Sequence, residues 1–415
     1  MKKRTNAGRH GLIGTAVVTL TALGLAGCSA AAAPDTDSVA QPGASAAAGQ
    51  CGSVPDLGAN DPDGLLAEFS PGTAAAYNAY PLPIKKSAWA DWKSEKDGGY
   101  TAAIVGMPPA SAFVNVMLDT VRKELAAADF EIVADLAPDD PTNVPLQLQQ
   151  FSQAVALKPD IIFFIPLAAE PSVDAVKSAG EAGIPVVSMA SFMDSEYAVS
   201  VAGNSVLQAM NVGAGTLKAI GGAGNVLRVT GIPGISTELY AEEGFQNVLE
   251  LCPDVSVAGE VTGFFEATTA QTATLQYLAT NPAGVDAVLQ SGTMGLGVLN
   301  AFHESGLEAP PIADIGAARG FAAWAAENTD YPYVGSTTPT VRQAQVSVDI
   351  GLRILRGEGP KINQFVNNPF VVDRSNLKEL VEPGWNTTDS TDLVGDPQKF
   401  FPDEVLKEYF NNPSS

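Results

Sequence analysis

The sequence predicts an α/β protein built as two doubly wound, parallel-sheet lobes. Three observations carry this. From Tyr100 onward, short β-rich apolar runs alternate with longer amphipathic stretches of helical period. The short runs are almost continuously apolar instead of alternating, which is the pattern of parallel strands covered on both faces. About nine such runs favour two sheets over one very wide one, and no low-complexity seam separates them, so the chain is expected to pass between the lobes more than once.

In chain order, strands are expected at Ala102–Gly106, Glu131–Ala134, Asp160–Ile165, Pro185–Met189, Asn225–Thr230, Val255–Val261, Val285–Gln290, Ile312–Ile315 and Tyr333–Ser336. Helices are expected at Phe113–Ala128, Pro171–Ala182, Leu207–Ile220, Leu239–Leu251, Ala270–Ala279, Gly295–Ser305 and Val341–Leu355. Several end beside a glycine (Gly180, Gly183, Gly221, Gly306, Gly357), where a left-handed cap is wanted. Ahead of this core, residues 51–99 form an irregular extension rich in Pro, Gly and Asp. Its Tyr77, Tyr80, Trp89 and Trp92 are expected to anchor it to the main body.

The N-terminus has its own pattern. Lys2, Lys3, Arg4 and Arg9 precede an apolar run from Gly11 to Leu25, which ends in Leu25-Ala26-Gly27-Cys28. The run is short for a spanning helix and has the order of a secretion signal. Its end resembles the lipobox of bacterial lipoproteins. The resemblance implies a signal peptide at 1–28, a diacylglyceryl group on Cys28 and an extracytoplasmic protein tethered to the membrane by its lipid. Residues 29–50, almost all Ala, Gly, Ser, Pro, Asp and Gln, read as a flexible tether.

Composition excludes several classes. The chain has 415 residues and a net charge of −23, with 23 Lys and Arg against 46 Asp and Glu. That balance repels a phosphate backbone, so no nucleic-acid partner is expected. Of the two histidines, His10 lies in the signal and His303 at the end of an amphipathic helix, which leaves no His-rich metal site and no ready catalytic triad. No Walker loop, Cys-x-x-Cys pair or Gly-x-Ser-x-Gly elbow occurs, and Gly295-Leu296-Gly297 is too short for a dinucleotide fingerprint. The protein is therefore expected not to be an enzyme and to need no cofactor or metal. Cys51 and Cys252 are the two other thiols, and outside the membrane they are candidates to pair.

Longer motifs then carry a family resemblance. Lys158-Pro-Asp-Ile-Ile-Phe-Phe-Ile165 and Ala182-Gly-Ile-Pro-Val-Val-Ser188 are similar to two successive strand–helix steps of the ribose-binding-protein family. Gly231-Ile-Pro-Gly-Ile-Ser236 with Glu243-Gly-Phe-Gln246 resembles the opening of that family's second lobe. Asn281-Pro282, Val285–Ser291 and Met294–Gly297 resemble the next unit. These are type I periplasmic binding proteins, the solute receptors of ABC importers.

The resemblance spans roughly Tyr100 to Lys361 and implies the type I periplasmic-binding fold. Its lobes are joined by three crossovers, near Val201–Asn204, Thr337–Pro339 and Pro360–Gln364. Lobe 1 is then 100–203 with 338–363, lobe 2 is 204–337, and 364–415 is a C-terminal extension packing on the lobes. The implied function is capture of a small solute, a sugar or polyol first, between lobes that close by hinge motion and deliver it to a membrane permease. A monomer is expected. A lipoprotein presenting its closed form to a membrane sensor, or a receptor for a non-carbohydrate solute, shares the fold.

The family grips a sugar with stacking aromatics and polar side chains, because a sugar ring pairs an apolar face with a hydroxyl rim. Phe113 and Phe265 match the aromatics. The polar positions depart from the pattern: Ser191 stands where an Asp-Arg pair is usual, Glu238 near the place of an Arg, Ser291 for an Asn, Gly316 with Arg319 following for an Asp, and Thr338 for an amide. The candidate binding set is thus Phe113, Ser191, Glu238, Phe265, Ser291, Arg319 and Thr338, with Glu238 and Arg319 as its charges. Ser236 and Thr293 read as helix caps. A site stripped of so many polar partners is expected to prefer a less hydroxylated ligand.

Overall fold

The computed structural model describes residues 50–108, 112–391 and 400–414. Cys28, its lipobox and most of the tether lie outside the described residues. Among the described residues, no helix is long and apolar enough to cross a membrane.

Two six-stranded sheets form the core. The first has the order β11-β5-β4-β3-β1-β2, from β1 (Thr101–Val105), β2 (Glu131–Leu136), β3 (Ile161–Phe164), β4 (Val186–Met189), β5 (Ala198–Gly203) and β11 (Gln364–Asn367), with every pairing parallel. The second has the order β12-β10-β9-β8-β6-β7. Its strands are β6 (Ala223–Thr230), β7 (Asp254–Thr262), β8 (Ala287–Gln290), β9 (Ile312–Ile315), β10 (Val334–Thr337) and β12 (Phe370–Asp373). Only β12, on the edge, runs antiparallel to its neighbour.

The continuous apolar runs have the expected cause. In β3, Ile161 and Phe163 enter the core layer on one face of the sheet while Ile162 and Phe164 enter the layer on the other. Leu227 and Val229 against Val226 do the same in the second lobe. All four residues of β3, β4, β8 and β9 are buried. The edge strands β2 and β7 are half exposed, and their sequences carry charge and alternation.

Several elements escaped the pattern. Strand β5 (Ala-Val-Ser-Val-Ala-Gly) was not expected, and its last residues fall in the stretch Val201–Asn204 placed at the first crossover; small residues mask it, although Ala198–Ala202 are all buried. The helix Val144–Ala156 is rich in Gln, and the 9-residue helix Arg319–Glu327 is rich in Ala. The segment after 363 also differs from a simple extension: β11 adds to the first sheet and β12 to the second. The third crossover is therefore at Asn368-Pro369, not at Pro360–Gln364. A further passage follows. Thr391 O accepts from Arg319 N–H on lobe 2, whereas Phe400, Phe401, Leu406 and Tyr409 are buried in the lobe 1 core.

The 51–99 extension touches both lobes. Tyr77, Tyr80 and Trp89 are buried in the lobe 1 core, while Ala79 joins the lobe 2 core. Cys51 is bonded to Cys252, just beyond the lobe 2 helix Ser236–Leu249. Asn204, at the first crossover, holds the junction. Its side-chain oxygen accepts from Leu207 N–H and caps the helix Ser205–Ala219, and its amide donates to Ala76 O (2.9 Å) and Asn78 O (2.8 Å).

Candidate functional site

The strands of both sheets point their carboxyl ends at one space between the lobes, the usual place for a ligand in open α/β sheets. A cavity of about 190 Å³ lies there. Lobe 1 contributes the loops after β1, β3 and β4, and lobe 2 those after β6, β7, β8 and β9.

Phe113, in the first turn of the helix Ala112–Ala127, and Phe265, in the turn between β7 and the helix Ala267–Thr280, both line the cavity and are half-buried. Phe264 and Phe265 are both in the left-handed region, with φ of 56° and 61°. Ala190 and Thr293, each at φ 54°, line the same cavity. Non-glycine residues in this region are costly and persist only where their surroundings hold them. Here Thr293 Oγ1 donates to Phe265 O at 2.7 Å. The Phe265 ring lies on Gly231, where a Cβ would stand 2.0 Å from Cζ, and beside Gly292. The glycines let the aromatic lie flat against the loops.

Two buried glutamines fix the loops on which the site is built. Gln147 donates to Gly106 O (2.7 Å) and Ile165 O (2.9 Å) and accepts from Leu167 N–H (2.7 Å), tying the loops after β1 and β3. Gln290 repeats this in lobe 2, donating to Ile315 O (2.9 Å) and accepting from Gly292 N–H (2.7 Å) and Met294 N–H (3.3 Å). Neither was singled out from the sequence. An isolated Gln in an amphipathic helix or at a strand end carries no signal until its neighbours are known.

Of the seven candidates, Phe113, Ser191, Phe265, Ser291 and Thr338 line the cavity. Glu238 and Arg319 do not, and both placements correct the sequence reading. The Glu238 carboxylate turns inward, accepting from Gly231 N–H (2.5 Å) and from Ser291 Oγ–H (3.0 Å). Burial pushes its carboxyl above the usual range, against these two donors and the nearby Arg228. Arg319 opens its helix facing the C-terminal segment and stacks on Trp385, 5.0 Å from the ring centroid. Ser236 and Thr293 make no cap hydrogen bond, and both line the cavity.

The structure adds Gln343 and Gln208 to the lining. Gln343 donates to Val201 O at 3.0 Å, and its Oε1, like Ser191 Oγ, is buried without a hydrogen-bond partner. Among the described lining residues, Glu266 is the one charged side chain, and it is exposed. Among the described residues, no group of three or more His, Cys, Asp or Glu is placed to hold a metal ion. Behind the cavity the lobes touch: the Tyr240 ring of lobe 2 lies 5.6 Å from Phe192 of lobe 1, which stacks edge-on with Tyr80 of the extension. Burial pushes the Tyr240 hydroxyl up to about 12.

Residues 103–359, more than half of the chain, match the family model described as a periplasmic binding protein domain. The chain belongs to the periplasmic binding protein family. Among curated proteins it is similar to the xylitol-binding protein of Mycolicibacterium smegmatis, 28% identical over 205 residues, which are 48% of this chain and 56% of that protein. The chain thus spans little more than half the length of that relative. Solved structures share the fold. An ABC transporter solute binding protein from Thermobispora bispora has a TM-score of 0.61 at 21% identity, over 69% of this chain and 90% of its own. One from Bacillus halodurans with bound myo-inositol has 0.60 at 20%, over 69% and 98%. One from Mycobacterium smegmatis with bound glycerol has 0.61 at 17%, over 70% and 100%. Family members are extracytoplasmic binding proteins, and this chain has their two-lobed parallel-sheet fold.

Proposed function

We propose that this protein is the solute receptor of an ABC importer and captures a neutral sugar or polyol between its lobes. The observation that carries this is the cavity, with Phe113 from one lobe and Phe265 from the other. Two aromatics on opposing lobes suit a ligand with apolar faces, and a ligand touching both lobes favours the closed form that a permease reads. At about 190 Å³ the cavity is smaller than the roughly 300–1,000 Å³ of pockets for drug-sized ligands. Among the described residues its lining offers no cation to a carboxylate or phosphate, which favours a neutral occupant. The xylitol-binding relative and the inositol- and glycerol-bound neighbours make polyols the first class to test.

Within the family we place the chain beside the ribose-binding proteins, on the motifs at Lys158–Ile165 and Gly231–Ser236. We further propose that Cys28 carries a lipid that keeps the monomeric receptor at the membrane beside its permease. The test is a thermal-shift screen of residues 51–415 against xylitol, myo-inositol, glycerol, pentoses, hexoses, sugar acids and amino acids. A ligand at 100 times its Kd adds ~2.7 kcal/mol to stability. A raised midpoint from one neutral polyol or sugar is the expected result. A shift only from an anionic or aromatic solute overturns the reading.

A further inference from the structure

The Phe265 ring rests on a seat built by two other loops of lobe 2. Gly231, in the loop after β6, lies under the ring, with the position of a Cβ only 2.0 Å from Cζ. Gly292, in the loop after β8, lies beside it, with a Cβ position 3.2 Å from Cδ1 and Cε1. Glycine allows so close an approach, but it also restricts its own backbone less than any other residue. The seat must therefore be held from outside. Gln290 Oε1 accepts from Gly292 N–H at 2.7 Å, which ties the β8 loop to its own strand. The tie between the two loops is Glu238, in the first turn of the helix Ser236–Leu249. One carboxylate oxygen accepts from Gly231 N–H at 2.5 Å. The other accepts from Oγ–H of Ser291, the neighbour of Gly292, at 3.0 Å.

A buried carboxylate is costly unless donors or a counter-ion meet it. Glu238 is 7% exposed, and the nearby Arg228 guanidinium is spent on Glu242. The two loops thus hold the carboxylate that holds them. A carboxylate suits the joint because both of its oxygens accept, one toward each loop. We propose that Glu238 is a positioning residue for ligand capture: it clamps the two glycine loops that seat the Phe265 ring, and so sets the stacking face of lobe 2 from outside the cavity. Phe113, the aromatic of the other lobe, packs against the lobe 1 core and does not depend on this joint. The inference rests on the receptor reading above and deepens it.

The experiment is calorimetric titration of the protein with xylitol and with myo-inositol. It uses Glu238→Gln and Ser291→Ala, each alone and combined with Phe265→Ala or with Phe113→Ala, and the unliganded Tm of every variant. Glu238→Gln and Ser291→Ala should each weaken the better-bound compound about 10-fold, the scale of coupling between residues that share a network. With Phe265→Ala already in place the same changes should cost about 2-fold or less, because no ring is left to misplace. With Phe113→Ala in place the full loss should return. Equal losses in all three backgrounds overturn the clamp and leave the receptor standing, since direct contact with the ligand or a general loosening of the fold adds to either aromatic alike. Affinity unmoved by both single variants overturns it too. Ser291→Ala breaks one of the two holds and leaves the other, so it decides the matter even where Glu238→Gln lowers the Tm too far for titration. Failure of xylitol, myo-inositol and every carbohydrate in the screen above to bind the wild type overturns the receptor reading, and this inference with it.

Discussion

Phe265 holds more of the site together than its size suggests. Its backbone is left-handed, its carbonyl is pinned by Thr293, and its ring needs the bare faces of Gly231 and Gly292. Phe265→Ala and Phe113→Ala should each weaken binding of a polyol ligand, by about 1–3 kcal/mol or some 5- to 150-fold, without unfolding the protein. Unchanged affinity in both, read by calorimetry, would remove the cleft assignment. Gly231→Ala should do similar damage from behind, since its new methyl must displace the ring. At Glu238 the folded carboxyl is raised by burial, so the folded state holds that proton more tightly than the unfolded chain does. Its contribution is present below the unfolded value of about 4.3 and is lost as pH rises through the folded value. Urea unfolding at pH 4, 5.5 and 7 should therefore show wild type losing stability relative to Glu238→Gln as pH increases. A constant difference would place the carboxyl in an unshifted environment.

At the scale of elements, the first crossover shows how strand, cap and extension depend on one another. β5 ends at Gly203, Asn204 caps the next helix, and the Asn204 amide closes on two carbonyls of the extension. Asn204→Ala should cost about 1 kcal/mol for the cap and roughly 1–3 kcal/mol more for carbonyls left unpaired in a buried place. A loss below ~1 kcal/mol in denaturant unfolding would mean the extension adds nothing at this junction. Most of the nine expected strands were legible as apolar runs buried on both faces, and the half-exposed edge strands β2 and β7 as runs with charge and alternation. β5 was not, because Ser200, Ala202 and Gly203 leave too little hydrophobic contrast, and the short helix Arg319–Glu327 was hidden by its alanines.

At the scale of the whole molecule, the extension and the disulfide bind the segment after Gln50 to a lobe that begins far downstream. Cys51 and Cys252 are 201 residues apart in sequence. Closing so long a loop restricts the unfolded chain, and removing such a bond usually costs about 2–5 kcal/mol. Cys51→Ser with Cys252→Ser, or reduction of the wild type, should lower the urea midpoint accordingly. An unmoved midpoint would show the lobe 2 attachment held by packing alone. The lipid proposal is testable at this scale too. Cys28→Ala should release the protein from the membrane fraction, and retention would overturn it.

The sequence by itself determined the fold class, the alternation of strands and helices, the family and the two aromatics, because these depend on local periodicity and on motifs of fixed spacing. It also singled out Cys51 and Cys252, for want of other thiols. Tertiary structure alone decided which polar residues meet. Glu238 and Arg319 sat at plausible positions in sequence, yet one turned behind the wall to hold Ser291 and Gly231 and the other stacked on Trp385. Gln147, Gln290 and Gln343 looked like ordinary amides until distant loops were brought to them. The exchange of β11 and β12 between sheets was likewise decided by long-range pairing. A hydrogen bond has a direction and a partner, and the partner of a side chain is set by parts of the chain that no local pattern contains.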